Sequence, residues 1–435
     1  MGTGEGETGH MNPIKPIVYE LTEYVSKQFS SDLIPMELGT LLWQAYGENG
    51  TVRRGGIKVE FPSPITGGQW RFTSQGWVGY IPLSDEIGFR LQPKVPHTNI
   101  FGMLEYAYNL KSFQFLDGFS HSGTLEEFYS FLANVLAQRI LDRARKGLYR
   151  TYVSKSDRMN FVRGRIDSRY LVQKPWEVKI KCHSTEHTPD IEENQILLWT
   201  LRRIITCGVC NAHALTNVRR AYRALQGSIS LEYVTSQDCI KRIYNRLDSD
   251  YKPLHALCRF FLEQSGPSRT KGDHQTFPFL LNMARLYELF VAEWLKAHRI
   301  SHLQPYNLDV RSQHQIDINQ DGSLSFSVDL VLFDLTTGQI HYVLDTKHKI
   351  PVAPTTKDIA QIVAYATAER CSEAVLIYPE SLQKPLDVNL QNIRVRSLSF
   401  ALEKDLLNAG NVFLENLLSS QMEYATIGRI ISEQA

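Results

Sequence analysis

The sequence predicts a multidomain protein of mixed α+β and α/β class. It divides into a β-rich N-terminal domain over residues 11–98, a helix-rich middle region over 99–268 and a C-terminal domain over 269–435. The last is expected to hold a mixed sheet flanked by helices. Three observations carry this division. Alternating stretches separated by glycine pairs fill residues 50–93, and helical periodicity dominates 99–147 and 190–265. Between 326 and 379, two strand-like runs are followed by a helix-like run and a third strand-like run. At 435 residues, with 43% hydrophobic and 21% charged side chains, the chain is long enough for two or three ordinary globular domains.

Residues 1–10, rich in glycine and glutamate, read as an expression remnant, with Met11 the expected native start. Residues 14–33 are a short apolar-mixed segment. Gly55-Gly56, Gly67-Gly68 and Thr73-Ser-Gln-Gly76 then mark hairpin turns. Arg53 and Arg54 precede the first glycine pair and Arg71 follows the second. Arginines on exposed hairpin tips are candidate partner contacts, and ordinary surface arginines are the alternative.

A net charge of +1 and a pI near 7.7 do not by themselves point to nucleic acid. The distribution says more. From Arg143 to Lys174 there are ten basic residues against Asp157 and Asp167, interleaved with Tyr149, Tyr152, Phe161 and Tyr170. Lys155, Arg158, Arg163 and Arg165 are therefore candidate DNA contacts, because such a pattern neutralises phosphates and offers rings for stacking. A solvated mixed face is the other reading of the same stretch.

No run of 18 apolar residues and no basic-then-apolar leader occur, so neither a transmembrane helix nor a secretory signal is expected. Six cysteines are scattered, and Cys207-Gly-Val-Cys210 lacks a second ligand pair, so it reads as part of a buried helix. A reducing cytoplasm is expected. Ser265-Gly-Pro-Ser-Arg-Thr-Lys-Gly-Asp-His274 is the linker candidate, and no internal repeat is found.

Phe279 to Leu295 has the pattern of an amphipathic helix, with Glu288 on its apolar stripe. Glu288 is either a boundary residue or points inward to a site. Phe326-Ser-Val-Asp-Leu-Val-Leu-Phe333 and His341-Tyr-Val-Leu-Asp-Thr-Lys347 read as strands joined by Thr336-Thr-Gly-Gln339. A carboxylate inside an apolar strand is costly unless something positive compensates it. Asp329 and Asp345, brought together by a hairpin, suit a hard divalent cation such as Mg²⁺. Lys347 shares a strand face with Asp345, because side chains alternate with period 2. Lys357 to Glu369 reads as a helix on which Asp358, Gln361 and Tyr365 share a face, and Ala374 to Pro379 reads as the third strand.

The order Glu288, Asp329, Asp345-Thr346-Lys347 and Gln361-Ile-Val-Ala-Tyr365 resembles the PD-(D/E)xK nucleases of the RecB-like branch. Val328 stands where that family's motif has proline. Further segments are similar to the McrC family, nuclease subunits of McrBC-type modification-dependent restriction systems. They include Gly79-Tyr-Ile-Pro82, Leu91-Gln-Pro-Lys-Val95, Asn99 to Ala107, Lys146 to Tyr152, Val162-Arg-Gly-Arg-Ile166 and Asp190-Ile-Glu-Glu-Asn194.

The resemblance implies Mg²⁺-dependent cleavage of DNA containing methylated cytosine. Asp329, Asp345, the Thr346 carbonyl and Glu288 would be metal ligands. Lys347 would act on the attacking water, with Gln361 and Tyr365 positioning lysine or phosphate. It also implies docking on, and stimulation of, a hexameric McrB-like AAA+ GTPase. No Gly-x-x-x-x-Gly-Lys-Ser/Thr stretch occurs, so GTP is expected on the partner. Two alternatives stay open: a motor-independent repair or junction nuclease of the same fold, and a chiefly regulatory GTPase-activating subunit.

Overall fold

The apolar runs near the C-terminus pair into a six-stranded mixed sheet. Its order is Leu308–Asp317, Ser325–Asp334, Ile340–Thr346, Glu373–Tyr378, Ile393–Ser399 and Asp387–Leu390. The first three strands are antiparallel, and Ile340–Thr346, Glu373–Tyr378 and Ile393–Ser399 run parallel. The computed structural model describes residues 17–49, 55–84, 87–94, 97–108, 110, 124–240, 242–264, 269–270, 275–276, 279–317, 325–349, 351–402 and 405–433. Arg53, Arg54, residues 1–10 and most of the linker candidate lie outside these.

Helix Thr356–Ala368 buries Ile362, Tyr365 and Ala366 with the sheet residues Val328, Val331, Val343, Ala374 and Leu376. Thr355 caps it, its hydroxyl accepting from the Asp358 backbone N–H. The hairpin joining the two acidic strands turns on Asp334, whose carboxylate accepts from the backbone N–H groups of Thr336 and Thr337 at 2.9 and 2.6 Å. Helix Met283–His302 packs Trp294 and Phe290 against Phe400, and Phe400 meets Phe413 of the C-terminal helix Leu406–Glu433.

The chain divides into two units, one of residues 104–265 and one of residues 1–103 with 266–435. The expected three-way division had boundaries near 98 and 268. The N-terminal and C-terminal segments share a unit because Phe279–Asn282 is a strand, antiparallel to Trp77–Pro82. The expected helix from Phe279 therefore starts later. Asn282 ends the strand and caps helix Met283–His302, its side chain accepting from Arg285 N–H at 3.0 Å. Gly79 permits the pairing, since its φ of +130° is open to glycine and a Cβ there would strike the Phe279 carbonyl. This four-stranded sheet runs Ile17–Thr22, Ile87–Gln92, Trp77–Pro82, Phe279–Asn282. A three-stranded sheet, Ser26–Phe29, Trp70–Ser74 and Ile57–Glu60, shares a core with it around Phe29, Trp70, Phe72 and Phe89.

In the middle unit, helices Leu125–Lys146, Glu192–Cys207, Ala212–Gln226 and Tyr251–Gln264 bury one apolar side each. The unit is not helical throughout. Thr151–Met159, Ile180–Thr188 and Arg165–Ile166 form a three-stranded sheet that helical periodicity did not predict. The Thr151–Met159 strand is exposed along almost its whole length, so it lacks the buried apolar alternation that marks a strand in sequence.

Candidate metal and phosphodiester site

The hairpin sets Asp329 and Asp345 side by side at the end of the central strand pair. The backbone N–H and hydroxyl of Thr346 both donate to Asp329, at 2.8 and 2.7 Å. Asp345 is 3% exposed and lies 2.5 Å from the Lys347 ammonium. Burial raises its carboxyl from the ordinary value to about 6, and the nearby Asp329 adds to the rise while Lys347 opposes it.

Lys347 is held from the neighbouring helix. Its ammonium donates to the Gln361 side-chain oxygen at 3.1 Å, and the Gln361 amide donates to the Tyr365 hydroxyl at 2.7 Å. The i, i+4 spacing of Gln361 and Tyr365 makes that relay possible. Asp345, Lys347, Gln361 and Tyr365 thus form one continuous chain of contacts.

The sequence puts Asp358 on this helix face without assigning it a role. It is buried, accepts from Lys349 and Thr355, and lies 3.9 Å from Lys347. Burial works against its charge, but the bonds from Lys349 and Thr355 hold its carboxyl below the ordinary value. The signal was available: Lys349 follows Lys347 at the same two-residue spacing that links Lys347 to Asp345.

Glu288 stands apart from this chain. Its carboxylate lies 2.5 Å from Arg285, whose guanidinium also donates to the Gln313 side-chain oxygen at 2.7 Å. Gln313 has a φ of +52° and sits opposite Asp329, where the strand ladder skips a pair. Among the described residues no hydrogen bond or ion pair joins Glu288 to either aspartate, and no group of three or more His, Cys, Asp or Glu gathers. A metal here would rest on Asp329, Asp345 and the Thr346 carbonyl, with water completing the shell. That donor set fits Mg²⁺, which needs only one or two carboxylates. The burial-raised Asp345 beside Asp329 is a concentration of negative charge that a cation would relieve.

The other candidates lie elsewhere. Lys155 and Arg158 are on the exposed middle sheet, where Lys155 pairs with Glu186 at 2.8 Å and Arg158 lies over the Tyr170 ring. Arg163 and Arg165 are exposed on the same module. Arg71 makes a cross-strand ion pair with Glu60 at 3.0 Å. Cys207 ends its helix buried, Cys210 is half-buried, and burial pushes the two thiols up to about 11 and about 12. Among the described residues no helix is long and apolar enough to cross a membrane.

Comparison with known proteins agrees with the expected family. A relative from Escherichia coli (strain K12), named type IV methyl-directed restriction enzyme EcoKMcrBC, is 27% identical over 214 residues. That match covers 47% of this chain and 60% of the relative, so the chain spans about three-fifths of that protein's length. In fold, the chain is similar to one from a half-complex of Thermococcus gammatolerans McrB AAA+ hexamers with bound McrC. The TM-score is 0.54 at 15% identity, covering 93% of this chain and 100% of that one. At that identity the likeness concerns fold alone. Residues 72–379 match the profile of the family described as McrBC 5-methylcytosine restriction system component. The chain belongs to this McrBC restriction-component family.

Proposed function

We propose that this chain is the DNA-cutting subunit of its restriction system, a Mg²⁺-dependent phosphodiester hydrolase. The observation that carries the reading is the contact chain Asp345–Lys347–Gln361–Tyr365 beside Asp329. It joins two carboxylates and a held ammonium at one strand end. Asp329, Asp345 and the Thr346 carbonyl would hold Mg²⁺, which when bound supplies Lewis-acid polarisation and a water of lowered pKa. Lys347, fixed on two sides, points one positive charge where a pentavalent phosphorane-like transition state gathers negative charge. Gln361 and Tyr365 orient that lysine. Asp358 neutralises Lys349 and adds a second carboxylate near Lys347.

By this reading the chain works on an McrB-like AAA+ GTPase ring, stimulates it, and cuts DNA containing methylated cytosine in the cytoplasm. The family match and the fold shared with a chain of an McrB–McrC assembly support it. GTP would bind the partner, consistent with the lack of a phosphate-loop sequence here. The test is cleavage of methylated DNA by the reconstituted complex with GTP, with Mg²⁺ and after chelation. Cleavage that survives chelation removes the metal from the account. Cleavage by the chain alone at branched DNA would favour the motor-independent reading.

A further inference from the structure

A cavity of about 240 Å³ opens within the same unit as the catalytic residues, next to the strand end that carries them. Its floor is Glu23, fully buried, facing His348 at 3.4 Å, with His348 itself 9% exposed. The ring nitrogens of His348 have no hydrogen-bond partner among the described residues, while the Glu23 carboxylate has the Lys94 backbone N–H and the His348 ring beside it. Buried polar groups are nearly always paired. A His348 ring buried without a hydrogen-bond partner in the lining of a cavity points to a ligand that completes it.

The walls add specific chemistry. Tyr24, 41% exposed, presents an aromatic ring from a left-handed backbone conformation with φ of +59°. The Lys94 ammonium lies 5.5 Å from the centre of that ring. Pro351 and Pro379 supply apolar surface, and Lys349, paired with Asp358, completes the lining. Asp358 also lies 3.9 Å from Lys347, so one carboxylate separates the cavity from the catalytic lysine.

A flat aromatic wall suits a nucleobase, which stacks on it whatever its sequence. A lysine attracts phosphate as a point charge, and the His348 ring lies in the lining beside it. The volume is below the usual range for drug-sized ligands, which suits one base rather than a duplex. We propose that this cavity holds one unstacked nucleotide of the DNA strand presented to Lys347, its base against Tyr24 and its phosphate at Lys94. The assignment to DNA rests on the nuclease reading above; the nucleotide chemistry of the cavity does not.

The test titrates the full-length chain with deoxycytidine and deoxyguanosine 5′-monophosphates, read by calorimetry and saturation-transfer NMR. A short single-stranded oligonucleotide then serves as competitor. Tyr24→Asn keeps a residue that tolerates the left-handed backbone, Tyr24→Phe keeps the ring, and Lys94→Ala removes one cation. Expected are binding of the monophosphates, weakening of about tenfold in Tyr24→Asn and Lys94→Ala, retention in Tyr24→Phe, and displacement by the oligonucleotide. No binding to the folded chain, or binding indifferent to Tyr24→Asn and Lys94→Ala, overturns the proposal. Binding that the oligonucleotide cannot displace overturns the DNA source. Lys347→Ala separates this from the nuclease reading, since it should abolish cleavage and leave monophosphate binding intact.

Discussion

Lys347 is useful only where it is held, and the structure holds it between Asp345 and Gln361. Lys347→Ala should lower single-turnover cleavage by about 10²–10³-fold, the cost of removing one preorganised charge. Gln361→Ala leaves the ammonium present but loose and should cost roughly 10- to 100-fold. Rapid-quench cleavage assays on folded variants in the complex would check both, and equal rates for Gln361→Ala and wild type would dismiss the relay. Glu23 gives a prediction on stability. Burial raises its carboxyl from 4.5 to about 7, so its contribution is full below pH 4.5 and is lost as pH rises through 7. The facing His348, lowered to about 4 by burial, stays neutral across that window. Glu23→Gln should therefore gain on wild type between pH 5 and pH 8, by on the order of 3 kcal/mol. Denaturant unfolding at the two pH values would check this, and a parallel pH response in both proteins would contradict it.

Among the elements, the C-terminal helix docks through a glycine. A Cβ at Gly410 would enter the ring of Trp294, which is fully buried and cannot yield. Gly410→Ala should thus destabilise by about 1–3 kcal/mol despite alanine's better helix propensity. Thermal unfolding would measure it, and a stabilised variant would refute the packing. How far elements could be read from sequence depended on what each one buries. The acidic hairpin and the Gln361/Tyr365 helix were legible because each sets regular apolar positions around a few polar ones. The start of helix Met283–His302 was not, since Phe279-Leu-Leu fits an apolar helix face as well as a buried strand. Only the Asn282 cap and the pairing with Trp77–Pro82 decide between them. The exposed middle sheet escaped because most of its side chains face solvent and leave no period to find. At the site, Asp329, Asp345 and Lys347 stood out in sequence. The Glu23–His348 contact could not, because its partners are 325 positions apart in the numbering and meet only through the fold.

For the whole molecule, the unit boundaries bear on control. Residues 1–103 belong with the domain that carries the acidic hairpin, and the strand Phe279–Asn282 links the N-terminal sheet directly to helix Met283–His302. A partner that grips the N-terminal sheet would therefore pull on the unit that carries Asp329, Asp345 and Lys347. Loosening that strand, for example by Leu280→Ala at a fully packed position, should lower stability by about 2–5 kcal/mol. It should also lower partner-dependent cleavage more than partner binding, as compared by pull-down and cleavage assays. By the proposed function, Asp329, Asp345 and Lys347 cut DNA under a GTPase's direction. The most direct measurement is GTP-dependent cleavage of methylated DNA by the complex reconstituted with wild type, Asp345→Ala or Lys347→Ala. Cutting by wild type alone, with GTPase stimulation kept in all three, is the predicted result; full cutting by either folded variant would contradict it.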